Sequence, residues 1–567
     1  MSLIGALNIG KSALAAQQAA IQVTGNNISN AGNADFTRQS AQALPQKDTQ
    51  IRPGIFVGNG INLAAVQRQI DEALQGRLRG SISDSESADA TQQWLGRIEA
   101  VFNELSDEDL STQLSQFFNS WSNLANKPQD IGLRQVVIQN GQSVATWINN
   151  LRGDLGDLQV DIDNRLKALT ASADQLAGQV ADLNGQIVLA EGGGGGQANA
   201  LRDQRDSVLK QLSQLMDIKT MRQDNGIVNV YVGSAPLVIN TDNRGVGLRQ
   251  ETINGSLQST VIIKADNSAM KLTSGQLGAL SQVRSGSIDQ VIGQVDDLAH
   301  NLIFELNKLH ASGQGLQGFS SVTASSVVSD PTKAMNDPAS GLKFTPTNGS
   351  FVVHVKQKST GLSTSTLMQI DLDGLNSNDT SLNALATGLD AITGVAATVA
   401  GGQLKISADS DNVEISFSQD SSGILAALGI NTFFNGSNAR DIAVNESIKS
   451  TPALLAAAKN GESADNQTAR AIADLEGESL ASLNNTSFKE RYQAMVNGVA
   501  VSAAGAKSNA QAARVVSETL QTQRESLSGV SLDEEAINLM RQQRAFQAAA
   551  RLVSAIDEMM RTVLQMT

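Results

Sequence analysis

Apolar residues recur every seven positions at both ends of the chain, at Leu7, Leu14, Ile21 and Ile28 near the start and at Leu532, Leu539, Phe546, Val553 and Met560 near the end. Ala549, Ile556 and Val563 fill the alternate heptad position of the second series, and Ala13, Ala16 and Ala20 supply good helix formers in the first. A helix over residues 3–29 would extend about 40 Å, and a stripe one residue wide cannot be buried by that helix alone. The N- and C-terminal helices are therefore expected to pair as a coiled coil. Two arrangements satisfy this pattern. One is an intramolecular hairpin, in which the two ends of a single chain meet. The other adds neighbouring subunits, because Gln17, Gln18, Gln542 and Gln543 dilute the seam and leave a lone pair weakly held.

Between the ends, helical periodicity runs through 85–125, 133–190, 197–216, 284–311 and 465–527. The β-branched runs "IVNVYVG" and "STVIIKA" interrupt it as a small β subdomain near 222–270. From 319 to 439 the composition shifts to Ser, Thr, Gly, Asp and Asn, and "FVVHV", "TLMQIDL", "QLKISA" and "VEISFS" read as strands between turn residues. Helical sequence then resumes. The expected fold is mainly α with an inserted β-rich domain. Terminal helices (1–36 and 528–567) form an inner domain, long helices (37–318 and 440–527) a body, and 319–439 an outer β domain. The run "EGGGGG", 191–196, ends one helix and permits a reversal before the next.

Composition narrows the function. The net charge of -14 and the lack of a basic patch make nucleic acid an unsuitable partner. The chain has no Cys, which excludes disulfides, thiol catalysis and thiolate metal sites. No stretch approaches the length of a membrane-spanning helix, and Lys11 interrupts the only signal-like segment, so export would need a route without a cleaved signal.

Apparent catalytic motifs lack their settings. "GALNIGKS", Gly5–Ser12, matches the phosphate-binding loop of nucleotide enzymes, but only "MSLI" precedes it where a buried strand is required, and Leu7 already belongs to the heptad series. "GQGLQG", Gly313–Gly318, follows a helix rather than a strand, and is expected to be a flexible exit into the inserted domain. His300, His310 and His354 complete no metal arrangement and are expected at caps or on the surface. "LSDEDLS" and "SLDEEA" suit helix starts, and Ser531 with Glu534 forms a capping box that starts the last helix near Leu532. "LRDQRD", Leu201–Asp206, is expected to make solvated ion pairs. These readings predict no enzyme activity, no cofactor and no metal.

The stretch "GNNISNAGNADFTRQ" concentrates Asn26, Asn27, Asn30 and Asn33 where the first helix should end. Asparagine is poor in helix interiors and suits helix ends and left-handed turns, so these residues should mark a bend. Their amides are expected to bond to backbone at that bend or across to a neighbouring subunit.

The ends also carry a resemblance. "LNIGKSALAAQQAAIQVTGNNISNAGNADFTRQ" resembles the N-terminal signature of the bacterial flagellar rod, hook and hook-associated family, with Asn26, Asn27, Ile28 and Asn30 matching its turn motif. Gly25 and Ser29 stand where Ala is common, and "NADF" replaces the usual Thr-x-Gly-Tyr turn. Phe36, Arg38 and Gln39 in "FTRQ" resemble the ending of the hook-associated branch, and Ala198–Ile218 and Ser421–Asn445 are similar to its internal signatures. The ending from Leu532 is similar to the C-terminal helix shared by the rod and hook group. The resemblance implies a structural protein at the junction between hook and filament, forming a homo-oligomeric ring in the axial structure. Its implied neighbours are the hook protein and the next hook-associated junction protein, and a cytoplasmic export chaperone would bind the C-terminal helix before type III export to the outside of the cell. Two alternatives remain: a flagellar hook or distal rod protein, which shares both terminal motifs, and a nucleotide-dependent enzyme using "GALNIGKS".

Overall fold

The computed structural model describes residues 3–102, 109–192, 196–253, 256–375, 378–462 and 464–566. The chain is mainly helical with β-rich regions and gathers into two compact units. One comprises Met1–Leu95, Asp161–Ser285 and Ala503–Thr567, and the other Gly96–Val160 and Gly286–Ser502. The helices expected to form a single body are thus divided between two units, one of which also holds the β-rich segment. Periodicity shows that a helix has a face to bury, not which neighbour buries it.

The first unit contains the N-terminal helix, Leu3–Ser29, and the C-terminal helix, Leu532–Met566. Between residues 39 and 68 it forms two antiparallel strand pairs, Gln39–Pro45 with Ile61–Arg68 and Thr49–Arg52 with Ile55–Val57. These strands were not legible in the sequence, because most of their residues on both faces are exposed and no apolar alternation marks them. The expected β subdomain begins slightly earlier than predicted. It is a four-stranded antiparallel sheet in chain order from Ile218–Arg222 to Asp242–Asn243, followed by the ladder of Val246–Ile253 with Ser256–Ile263. The helix Asn199–Leu215 leads into that sheet.

In the second unit, Gly349–Gln357 is the central strand between Ser363–Ile370 and Val413–Ser418. Phe351, Val353 and Val355 alternate onto its buried face and meet Ile415 and Phe417 in one apolar cluster. A second sheet joins Ser321–Thr323, Gln403–Ala408 and Val395–Ala400. The helix Leu382–Asp390 packs beside these strands and is capped by Ser381, whose hydroxyl accepts from the Ala384 amide at 3.2 Å.

Few aromatics are present, and several gather in one place in this unit. Phe117, Trp121, Phe433 and Phe434 are almost wholly buried, with ring centroids 5.6 Å apart for Trp121 and Phe433. Gly141 meets this nest closely, since a Cβ there would stand 2.5 Å from Phe433 Cζ. Gly141→Ala is therefore expected to overpack the nest and lower stability by about 1–3 kcal/mol in denaturant unfolding.

His310 belongs to the same nest, contrary to the cap or surface role expected of it. It is fully buried, its Nδ1 lies 2.8 Å from the Asn431 carbonyl, and its Nε2 accepts from the Ala456 amide at 3.0 Å. That pattern requires the neutral ring with its proton on Nδ1. His300 stacks on Phe344, and His354 lies between the Ser365 and Ser418 hydroxyls, each 2.7 Å away.

The glycine run Gly313–Gly318 is also not the flexible exit expected. Backbone amides of Gln314 and Leu316 donate to Ala458 and Ala453 carbonyls, both at 2.7 Å, and a Cβ on Gly315 would lie 2.4 Å from the Ala453 oxygen. The glycines permit close backbone packing here. Of "LSDEDLS", only Asp109 to Ser111 fall among the described residues, and Asp109 caps the helix Leu110–Asn126 by accepting from Thr112. The centre of "EGGGGG", 193–195, lies outside the described residues.

Candidate functional site

The two terminal helices pack along one another. Gly10 stands against Val553, Thr24 against Gln542, and Asn27 against Glu535. Numbers rise along one helix as they fall along the other, so the pair is antiparallel. Most of its buried positions belong to small and polar residues. Gly10, Ala16, Thr24 and Asn27 are the buried positions of the first helix, and Glu535, Ala549 and Ile556 those of the second. A Cβ on Gly10 would approach Val553 Cγ2 to 2.6 Å, so the missing side chain lets the helices close.

The heptad residues are distributed unevenly. Leu7, Leu14, Ile21, Ile28, Leu539, Phe546, Val553 and Met560 are half-buried, while Ile556 is fully buried. Leu532 and Val563 are 56% and 49% exposed, so the pairing within one chain does not enclose either end of the second series. Periodicity located the two helices; it did not identify Gly10, Thr24 and Glu535, because neither glycine nor a polar residue registers in an apolar count.

The asparagine cluster works at close range. The N-terminal helix continues through Asn26 and Asn27 to Ser29, and the Asn30 amide side chain folds back onto the Asn26 carbonyl at 2.9 Å. Asn33 extends the turn by accepting from the Asp35 amide at 3.1 Å. Asn27 points inward. Its Nδ2 donates to the Gln39 carbonyl at 2.9 Å, and its Oδ1 accepts from the Gln39 amide at 3.0 Å, as a strand partner would. The same Nδ2 reaches Glu535 Oε2 at 3.0 Å. One side chain thus ties the first helix, the strand after the bend, and the start of the last helix.

Arg38 completes this joint. Its Nε and Nη2 lie 2.8 and 2.7 Å from Glu535 Oε1, and its Nη1 lies 2.9 Å from Glu534. Its backbone amide donates to Ser528 and its carbonyl accepts from Gln69. Glu535 is 2% exposed. An acidic helix start was expected only to complement the helix dipole. The structure gives the second glutamate of "LDEEA" an inward position and a guanidinium partner, while Ser531 and Glu534 stand at the capping position. Phe36 is half-buried beside the bend.

"LRDQRD" departs most from expectation, because its charges turn inward instead of into solvent. Arg202 holds Glu191 with two bonds of 2.7 Å, which outweigh burial and keep that carboxyl below its ordinary value. Arg68 bridges Asp203 and Asp206 at 2.8 and 2.7 Å. Burial opposes the Arg68 charge, but the two carboxylates hold its guanidinium above the usual value. Asp203 also meets the Thr37 amide, and Asp35 accepts from Ser207 at 2.7 Å, so the bend is moored to this helix. Alternation of sign along a helix is the same whether the partners are water or buried groups, which is why the sequence did not separate the cases.

"GALNIGKS" lies wholly inside the N-terminal helix, with Gly10 packed on Val553. The loop that wraps a nucleotide phosphate is therefore not formed by these residues. No helix among the described residues is long and apolar enough to cross a membrane.

Residues 95–323 match the family description "Flagellar hook-associated protein FlgK helical domain", and 508–566 match "Flagellar basal body rod FlgEFG protein C-terminal". The chain is 26% identical over 568 residues to flagellar hook-associated protein 1 of Escherichia coli (strain K12), covering 97% of each chain. It is 26% identical over 572 residues to the protein of that name from Salmonella typhimurium (strain LT2), covering 98% of this chain and 99% of the other. It is 32% identical over 227 residues to the one from Bacillus subtilis (strain 168), covering 39% and 44%. The fold is similar to the solved flagellar hook junction protein FlgK from Burkholderia pseudomallei, with TM-score 0.50 and 15% identity, covering 80% of this chain and 100% of that one.

Proposed function

The chain belongs to the flagellar hook-associated protein family, and we propose that it is a structural subunit of the bacterial flagellum at the junction between hook and filament, assembling through its terminal helices. The observation that carries the assembly mode is the apolar surface left on the helix pair. Ile4, Ile537, Met540, Leu552 and Met559 are each about half exposed or more, beside the half-buried heptad residues. Apolar surface at this density on a soluble subunit marks a protein contact. Neighbouring copies that repeat the same stripe would bury it as coiled-coil seams, which favours the second of the two arrangements open to the sequence.

In this reading the terminal helices form the inner layer of a homo-oligomeric ring. The helical body surrounds them, and the β-rich segment 319–439 lies outermost. Export occurs through the flagellar type III channel, with a cytoplasmic chaperone covering the C-terminal helix until then. The hook protein and the next hook-associated protein are the axial neighbours. The Asn26–Asn27–Asn30 turn, with Phe36, Arg38 and Gln39, is a joint that sets the direction in which the chain leaves the inner layer.

Charge placed in the seam tests the assembly mode. Leu539→Asp with Phe546→Asp is expected to abolish filament attachment, read as hooks that shed flagellin and as lost motility. If the double variant is exported normally and still joins hook to filament, assembly through the helix seam is wrong. Deletion of the whole protein should leave complete hooks; loss of the hook as well would assign it to the rod or hook instead.

A further inference from the structure

The first unit holds a cleft of about 420 Å³ whose walls include Arg79, Arg205, Lys219 and Arg222, with Glu72 and Asp206 as its carboxylates. Four cations against two anions give it an excess of positive charge in a chain whose net charge is -14. Both carboxylates are already engaged, Glu72 with Arg222 at 2.9 Å and Asp206 with Arg68 at 2.7 Å.

The two buried guanidiniums are not engaged in that way. Arg79 is 7% exposed and Arg205 2%, and among the described residues neither forms an ion pair. Arg79 Nη2 donates to the Thr220 hydroxyl at 2.9 Å. Arg205 Nη1 donates to the Asn184 side-chain oxygen at 2.8 Å and to the Gly226 carbonyl at 2.7 Å, and its Nε is buried with no hydrogen-bond partner. Burial pulls both below the ordinary arginine value, Arg205 to about 10. Asp206 acts on both guanidiniums and Glu72 on Arg79, but neither carboxylate stands within ion-pair distance of them, and a bound oxyanion would supply the close counter-charge that buried cations require. Guanidinium forks match carboxylate and phosphate geometry, and the exposed Lys219 adds a point charge at the rim.

We propose that this cleft is a binding site for a compact oxyanion, a phosphate or a carboxylate, held between Arg79 and Arg205 with Lys219 at the mouth. The anion is either free in solution or the carboxylate side chain of a second copy of this chain.

The test is calorimetric titration of the full chain with inorganic phosphate at low ionic strength, with sodium chloride as the matched control. Saturable binding of one phosphate per chain is expected. It should weaken by about tenfold or more in Arg79→Gln and severalfold in Lys219→Ala, whose exposed side chain can be removed without disturbing the fold. No saturable heat above the chloride control overturns the proposal, and so does binding that both substitutions leave unchanged. Sedimentation of the chain with and without phosphate separates the sources. Self-association dispersed by phosphate assigns the carboxylate of a second copy, and unchanged sedimentation alongside phosphate binding assigns a free anion.

Discussion

Replacing Arg38 by alanine is expected to cost about 3–5 kcal/mol, because it leaves a buried carboxylate without its counter-charge. Glu535 is 2% exposed, and among the described residues its remaining side-chain donor would be the Asn27 amide, a neutral group. The loss should be read as faster hydrogen exchange in 532–566 and as a lower unfolding midpoint. Glu535→Gln should cost less, about 1–3 kcal/mol, since its one amide oxygen can still accept from Arg38 while its NH2 faces the Asn27 amide, and the charge on Arg38 keeps the exposed Glu534 as its partner. The double variant Arg38→Met with Glu535→Leu should recover much of the loss, because an apolar pair carries no desolvation penalty. If Arg38→Ala leaves exchange in the last helix unchanged, the pair does not hold the joint. The assembly phenotype should follow the same order, since the direction of the chain at the bend depends on this contact.

Acid is expected to destabilise the second unit through His310. Burial, reinforced by the nearby Arg134 cation, lowers its pKa from 6.5 to about 4, so the native state excludes a proton that the unfolded chain binds. Because the folded value is the lower one, the stabilisation is complete above the unfolded value and is lost as pH falls toward 4. The full span corresponds to about 3 kcal/mol, of which about 2 kcal/mol should be gone by pH 5. A urea-unfolding series between pH 7 and 5 measures it, and His310→Gln should be less stable at pH 7 yet show a flatter dependence. An equal slope in the wild type and the variant would remove His310 as the source. The geometry gives the sign independently: a protonated ring would turn Nε2 into a donor facing the donating Ala456 amide.

The positions legible in the sequence were those where a repeating local pattern meets a repeating local structure. Helix starts at Leu532 and Leu110, the strands Gln403–Ala408 and Val413–Ser418, and the bend after Ser29 all follow from periodicity, caps and turn chemistry. The positions that were missed share a different property. Arg38 with Glu535, Arg68 with Asp203 and Asp206, and His310 with Asn431 and Ala456 are polar groups whose partners lie more than a hundred residues away. A polar residue in isolation reads as exposed because water is its default partner. Only a specific distant donor or acceptor makes its burial tolerable.

From the residues alone it follows that both ends are helices with an apolar stripe, that the asparagines mark the bend at the end of the first of them, and that a β-rich segment interrupts the helical chain. These are consequences of side-chain spacing within a turn or a strand. Tertiary contacts set which residues touch between the ends, place Val553 against Gly10, and tie the bend to the last helix through Asn27, Arg38 and Glu535. Those contacts depend on the three-dimensional meeting of segments about five hundred residues apart in the chain, and no local pattern encodes the register at which two helices come to rest.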